Sequence, residues 1–177
     1  TSGADSSSPY NFTPLGDYLY FSATDATHGT ELWRTDGTTL GTTLVKDINT
    51  GIGGESSYPN NLTVFNGYLY FSADDGTSGR ELWRTDGTTL GTTRVADINS
   101  GPYSSYPNEL TVFDGHLYFS AGESCDEGCD TELWRTDGTE GGTTMVKDIN
   151  EDADYDSDPY YFTAFDGYLY FGADDGI

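Results

Sequence analysis

Positive charge is what this sequence has least of. Among 177 residues, Lys and Arg together number 7 against 30 Asp and Glu, a formal net charge of −23. Affinity for nucleic acid comes mainly from Lys and Arg neutralising phosphates, so no nucleic-acid partner is expected. Anionic membrane surfaces are disfavoured for the same reason. No window approaches the roughly 18 apolar residues of a membrane span, so no membrane insertion is expected either. Helix signals are missing too: apolar residues recur at every second position, and Gly or Pro interrupts about every ten residues. The two histidines, His28 and His116, stand at no motif spacing from a Ser or Cys nucleophile. A secretory leader is absent, and the chain begins at Thr1 rather than Met. That start fits a processed chain or a piece of a longer one.

What is present is repetition. The string Glu-Leu-Trp-Arg-Thr-Asp-Gly-Thr occurs at Glu31–Thr38, Glu81–Thr88 and Glu132–Thr139, a period of about 50 residues. Around it the chain divides into a linker or flexible end (1–8), three repeats (9–58, 59–106 and 107–158) and the first half of a fourth (159–177). Gly, Asp, Ser and Thr are abundant, as expected where short strands alternate with tight turns. Aromatic residues, led by 14 Tyr and 9 Phe, suit β-structure.

Each repeat reads as four strands. The first runs from Pro9 to Leu15 and its equivalents. A two-residue turn follows, and in three of four copies (Asn66-Gly67, Asp114-Gly115, Asp166-Gly167) it has the chemistry of a type I′ hairpin. The second strand is aromatic on both faces: Tyr68, Tyr70 and Ser72 alternate with Leu69, Phe71 and Ala73, so cover on both sides is expected. The third strand carries Glu81–Thr85 and the fourth Thr92–Ile98. The fold class is therefore all-β, with tandem four-stranded antiparallel propeller-type blades in about three and a half units. Leu32, Trp33, Leu82, Trp83, Leu133 and Trp134, with Phe21, Phe71, Phe119 and Phe171, form the expected repeat core.

The string ELWRTDGT, followed in the first copy by Thr-Leu-Gly-Thr-Thr-Leu-Val-Lys-Asp-Ile, resembles the bacterial ELWxxDGT repeat family. The resemblance spans essentially residues 9–176. It implies a propeller-like β-fold and an extracellular or bacterial cell-surface setting, and it implies no defined activity. Glu140-Gly141 in place of Thr-Leu, and Ala96 in place of the Lys at 46 and 147, are its departures.

Several groups invite chemistry. Glu31, Glu81 and Glu132, paired with Asp36, Asp86 and Asp137, resemble glycosidase carboxylates. They recur identically in every copy, whereas a catalytic centre is a single asymmetric constellation. Each Asp is better read as a turn residue, and each Glu as the partner of the Arg three positions on. No enzymatic activity is expected. One Trp per repeat serves either inter-blade packing or glycan stacking, which makes Trp33, Trp83 and Trp134 the sites of an alternative lectin-like reading. The acidic turn Asp74-Asp75-Gly76, with Asp97, offers oxygen ligands for Ca2+, although the spacing is not that of an EF-hand. No cofactor is required. Cys125 and Cys129 sit at a hairpin tip, where an extracellular protein most simply forms a disulfide; a zinc site needs two further ligands. Closing so small a loop adds only about 2 kcal/mol. Asn11-Phe12-Thr13 and Asn61-Leu62-Thr63 fit the N-glycosylation pattern, but their Thr is a repeat position.

Three and a half blades are too few to close a ring, and a half blade leaves an unpaired edge. The expected role is a structural or adhesive protein that meets copies of itself, as a ring or filament, or further repeats of the same chain.

Overall fold

In a computed structural model, residues 6–123, 130–150 and 156–177 are described. They form fourteen strands, with no helix among the described residues. The first sheet contains β1 (Tyr10–Leu15), β2 (Tyr18–Asp25), β3 (Gly29–Thr35) and β4 (Thr43–Lys46), paired in sequence order. The second contains β5 (Asn60–Phe65), β6 (Tyr68–Asp74), β7 (Arg80–Thr85) and β8 (Thr93–Arg94). The third contains β9 (Asn108–Phe113), β10 (His116–Glu123), β11 (Asp130–Thr136) and β12 (Thr144–Lys147). A two-stranded sheet of β13 (Tyr160–Phe165) and β14 (Tyr168–Gly172) follows, and every pairing is antiparallel.

Local chemistry explains the hairpins. Asn66, Asp114 and Asp166 take φ of 48°, 43° and 49°, and the Gly after each is also positive, as a type I′ turn requires. In the first unit only Gly16 is positive, at 60°, which is the II′ pattern. Each first strand carries a bulge: Tyr10 pairs with Ser22 but Thr13 with Tyr20, and the same shift recurs in the other three sheets. The bulge places Asn11, Asn61, Glu109 and Tyr161 at φ 57°, a left-handed backbone that non-Gly residues seldom adopt.

The fourth strand is shorter than its sequence suggests. Thr92–Ile98 reads as a strand, yet the second sheet's ladder covers only Thr93–Arg94, with one further bond from Val95 N to Leu82 O. Beyond it the backbone leaves the ladder, because Ile98 N and Asn99 N bond to the Glu81 side chain instead.

The sheets pack face to face in series. Leu69, Phe71, Ala73 and Trp83 of the second sheet meet Tyr20, Leu32, Val45 and Ile48 of the first. One unit on, Leu117, Phe119, Ala121 and Trp134 meet Tyr70, Leu82, Val95 and Ile98. The second sheet thus turns one side to the first and the other to the third. The first strands β1, β5, β9 and β13 stand next to one another in that order. Phe171 departs from the expected core: its equivalents Phe71 and Phe119 are sealed, whereas it is 36% exposed. Among the described residues no third strand is paired beside β14 to help cover it.

Candidate functional site

Most side chains of the repeated string Glu-Leu-Trp-Arg-Thr-Asp-Gly-Thr serve contacts within or between units. Leu32, Leu82 and Leu133 are buried. Trp83 and Trp134 lie opposite Phe71 and Phe119 across the ladder and are covered by the preceding unit. Each is 7% exposed, which leaves little of either ring for the sugar stacking considered for the tryptophans. Trp33 is half-buried, because no sheet precedes the first among the described residues. It lines an apolar cavity of about 280 Å³ with Pro9, Phe21 and Ala23. The Nε1 of all three tryptophans is buried without a hydrogen-bond partner, a feature nothing in the structure explains.

The arginines do not pair with the glutamates of their own strand. Arg34 Nη1 donates to Gly87 O at 2.9 Å, and Arg84 Nη1 to Gly138 O at 2.8 Å, each reaching the turn of the next unit. Their guanidinium groups also lie over the rings of Tyr18 and Tyr68, 4.4 Å and 4.8 Å from the centroids. A Cβ on Gly87 or Gly138 would strike the hydroxyl of Tyr20 or Tyr70, so the turn glycine is fixed by this contact as well as by its positive φ. Within the turn, Asp36, Asp86 and Asp137 each accept from the N–H and hydroxyl of the Thr two residues on. Those bonds hold the three carboxyls below the usual range.

The glutamates are the least expected part. Glu31, Glu81 and Glu132 are fully buried. Glu31 accepts from Ile48 N (3.1 Å), Asn49 N (3.4 Å), Ser57 N (2.9 Å) and Ser57 Oγ (2.6 Å). Glu81 repeats the set with Ile98 N, Asn99 N and both donors of Ser105. Glu132 holds Ile149 N and Ser157 Oγ. Ser57 and Ser105 also accept, through their carbonyls, from the end of the second strand that follows them: Asp74 N bonds Ser57 O, and Gly122 N bonds Ser105 O. Each carboxylate thus clamps its own unit to the start of the next.

Burial pushes the Glu31 and Glu81 carboxyls up to about 7, and the hydrogen bonds offset that rise only in part. The protonated form also has a home. Ser105 Oγ lies 2.7 Å from Glu81 Oε2 and 3.4 Å from Arg80 O, so it can accept the carboxyl proton while donating to the carbonyl.

The remaining sequence candidates divide. Asp74 Oδ1 accepts from Gly76 N, and Asp75 Oδ1 from Thr77 N, Thr77 Oγ1 and Ser78 N. Asp97 pairs with Arg94 at 3.1 Å. These three carboxylates are engaged locally, and among the described residues no three His, Cys, Asp or Glu groups converge as a metal site. Cys125 and Cys129 lie outside the described residues. His28 Nδ1 pairs with Asp25 at 2.8 Å. Asn11 and Asn61, the candidate glycan acceptors, use their amides in bonds to Asn60 Oδ1 (2.6 Å) and Asn108 Oδ1 (2.8 Å) on the adjoining first strands.

Two further concave surfaces adjoin each other. A polar groove of about 450 Å³ follows the first strands and includes Asn11, Asn61, Glu109 and Thr111. A second hollow of about 330 Å³ adjoins it through Asn60 and Asn61. Compared with known proteins, the chain matches no family model, no curated protein and no solved structure, so its functional reading rests on this geometry.

Proposed function

We propose that the chain is a non-enzymatic structural or adhesive repeat module, built of propeller-type blades and working outside the cell, at or beyond a bacterial surface. Its blades associate with further blades of the same kind, in a ring or filament. The use of the repeated string supports this reading: in place of a catalytic constellation, it supplies a carboxylate clamp in each copy, a covered packing tryptophan in the second and third, and a cross-unit Arg bond in the first and second.

The observation that carries the proposal is the state of the two outermost faces. Val45 and Val95 are 3% and 7% exposed beneath the next unit's tryptophan, whereas Val146 is 42% exposed. Arg135, the counterpart of Arg34 and Arg84, is exposed. Phe65 and Tyr70 are 4% and 1% exposed, and their counterparts Phe165 and Tyr170 are 69% and 54%. At the opposite face, the cavity beside Trp33 has the lining that Trp83 and Phe71 present to Val45 and Ile48 one unit on. Unsatisfied copies of a working interface are the surfaces on which another blade would settle.

Sedimentation at increasing protein concentration, with negative-stain imaging, tests self-association. Rings or fibres are expected, and Val146→Asp combined with Arg135→Glu should abolish them. A monomer at every concentration would remove the second copy as the source of the missing blade.

A further inference from the structure

One departure from the repetition falls beside a hollow in the surface. Position 80 is Arg, where the first and third units have Thr30 and Thr131. Its guanidinium is braced by backbone: Nη1 donates to Tyr58 O (2.8 Å) and Ser72 O (3.3 Å), and Nη2 to Ser57 O (3.2 Å). A guanidinium carries five N–H groups, so these bonds leave donor capacity unused. Arg80 lines the 330 Å³ hollow together with Tyr10, Tyr58 and Tyr106, all of which are exposed.

The two tyrosines on the connections are held in a way that costs free energy. Tyr58 and Tyr106 adopt φ of 47° and 50°. The same place in the other units is Ser8 at 39° and Asp158 at 41°, so the backbone needs only a small polar residue there. An aromatic ring in left-handed backbone is uncommon, and here two occur at one hollow. Asn61 and Asn108 add amides that are joined to each other by one end, leaving the other ends for further bonds.

We infer that this hollow, between the first and third units, is a single binding site for a neutral oligosaccharide. Tyrosine rings offer apolar faces to the C–H side of a sugar ring, while amides and a fixed guanidinium match its hydroxyls. The positive charge of Arg80 disfavours a cationic ligand in the aromatic cup. Asp74, opposite Arg80 in the ladder, and the net charge of −23 disfavour a polyanion. The adjoining polar groove of about 450 Å³ gives room for more than one sugar ring along the first strands. This site differs from a tryptophan pocket in every unit: it occurs once, and it does not depend on assembly.

Calorimetric titration with maltotetraose, cellotetraose and chitotetraose tests it, with tetragalacturonate and a proline-rich peptide as contrasting ligands. At least one neutral sugar should bind with one site per chain. Arg80→Thr and Tyr106→Ser restore residues that other units carry at these positions, so the fold is kept. Each should weaken binding about tenfold or more, with the circular dichroism spectrum unchanged. The inference is overturned if no neutral sugar titrates, if only the peptide or the acidic sugar binds, or if neither substitution changes the affinity.

Discussion

At the scale of single residues, the buried glutamate shows most clearly how position overrides type. A carboxylate in mid-strand looks like a surface ion-pair partner, yet Glu31 and Glu81 are sealed and clamp the connection to the following unit. Their folded-state pKa of about 7 lies above the ordinary value of 4.5, so the folded chain binds more protons than the unfolded chain between those values. Stability from these groups is therefore complete below about 4.5 and declines as pH rises through 7. The melting temperature should fall between pH 5 and 8 by more in the parent than in a Glu31→Gln, Glu81→Gln double variant. Equal slopes in the two proteins would count against titration of these carboxyls. The motif's leucines, with Trp83 and Trp134, were legible as core from their place in the repeat. The clamp was not, because its partners lie 17 to 26 residues away in irregular backbone. A signal was nonetheless present: Ser57, Ser105 and Ser157 each stand two residues before a Pro, once per repeat.

At the scale of elements, the hairpins follow local chemistry, and the turn after the third strand follows its neighbour. Gly37 and Gly87 occupy the same place in successive units with φ of 90° and 93°. A Cβ on Gly37 meets open space, whereas one on Gly87 meets the hydroxyl of Tyr20 and the guanidinium of Arg34. Gly37→Ala should cost about 1 kcal/mol, the conformational term alone. Gly87→Ala should cost about 2–3 kcal/mol, since it adds a steric conflict at a packed interface. Urea denaturation of the two variants separates these terms, and equal losses would mean that the inter-unit contact contributes nothing. Strand identity was readable from period two and the Asn-Gly and Asp-Gly turns. The length of the fourth strand was not, since Glu81 draws Ile98 and Asn99 out of the ladder.

At the scale of the whole molecule, 30 acidic residues against 7 basic ones make like-charge repulsion the dominant electrostatic effect. Cross-unit cations are correspondingly valuable: Lys46 Nζ donates to Thr92 O at 2.8 Å and sits above the Trp83 ring. Raising salt from low to physiological ionic strength screens the like charges more than these short, part-buried contacts. The melting temperature should therefore rise with salt, as read by calorimetry. A fall would mean that the few arginine and lysine contacts outweigh the repulsion.

The sequence alone settled the all-β class, the hairpin chemistry and the apolar character of the repeated string, because these depend on period and on residues adjacent in the chain. Tertiary structure decided which neighbour each side chain serves. It turned the glutamates inward, sent the arginines to the following unit and covered Trp83 and Trp134. It also gathered Tyr10, Tyr58, Arg80 and Tyr106 into one hollow. Such assignments depend on how one sheet lies against the next, and no local pattern carries that distance.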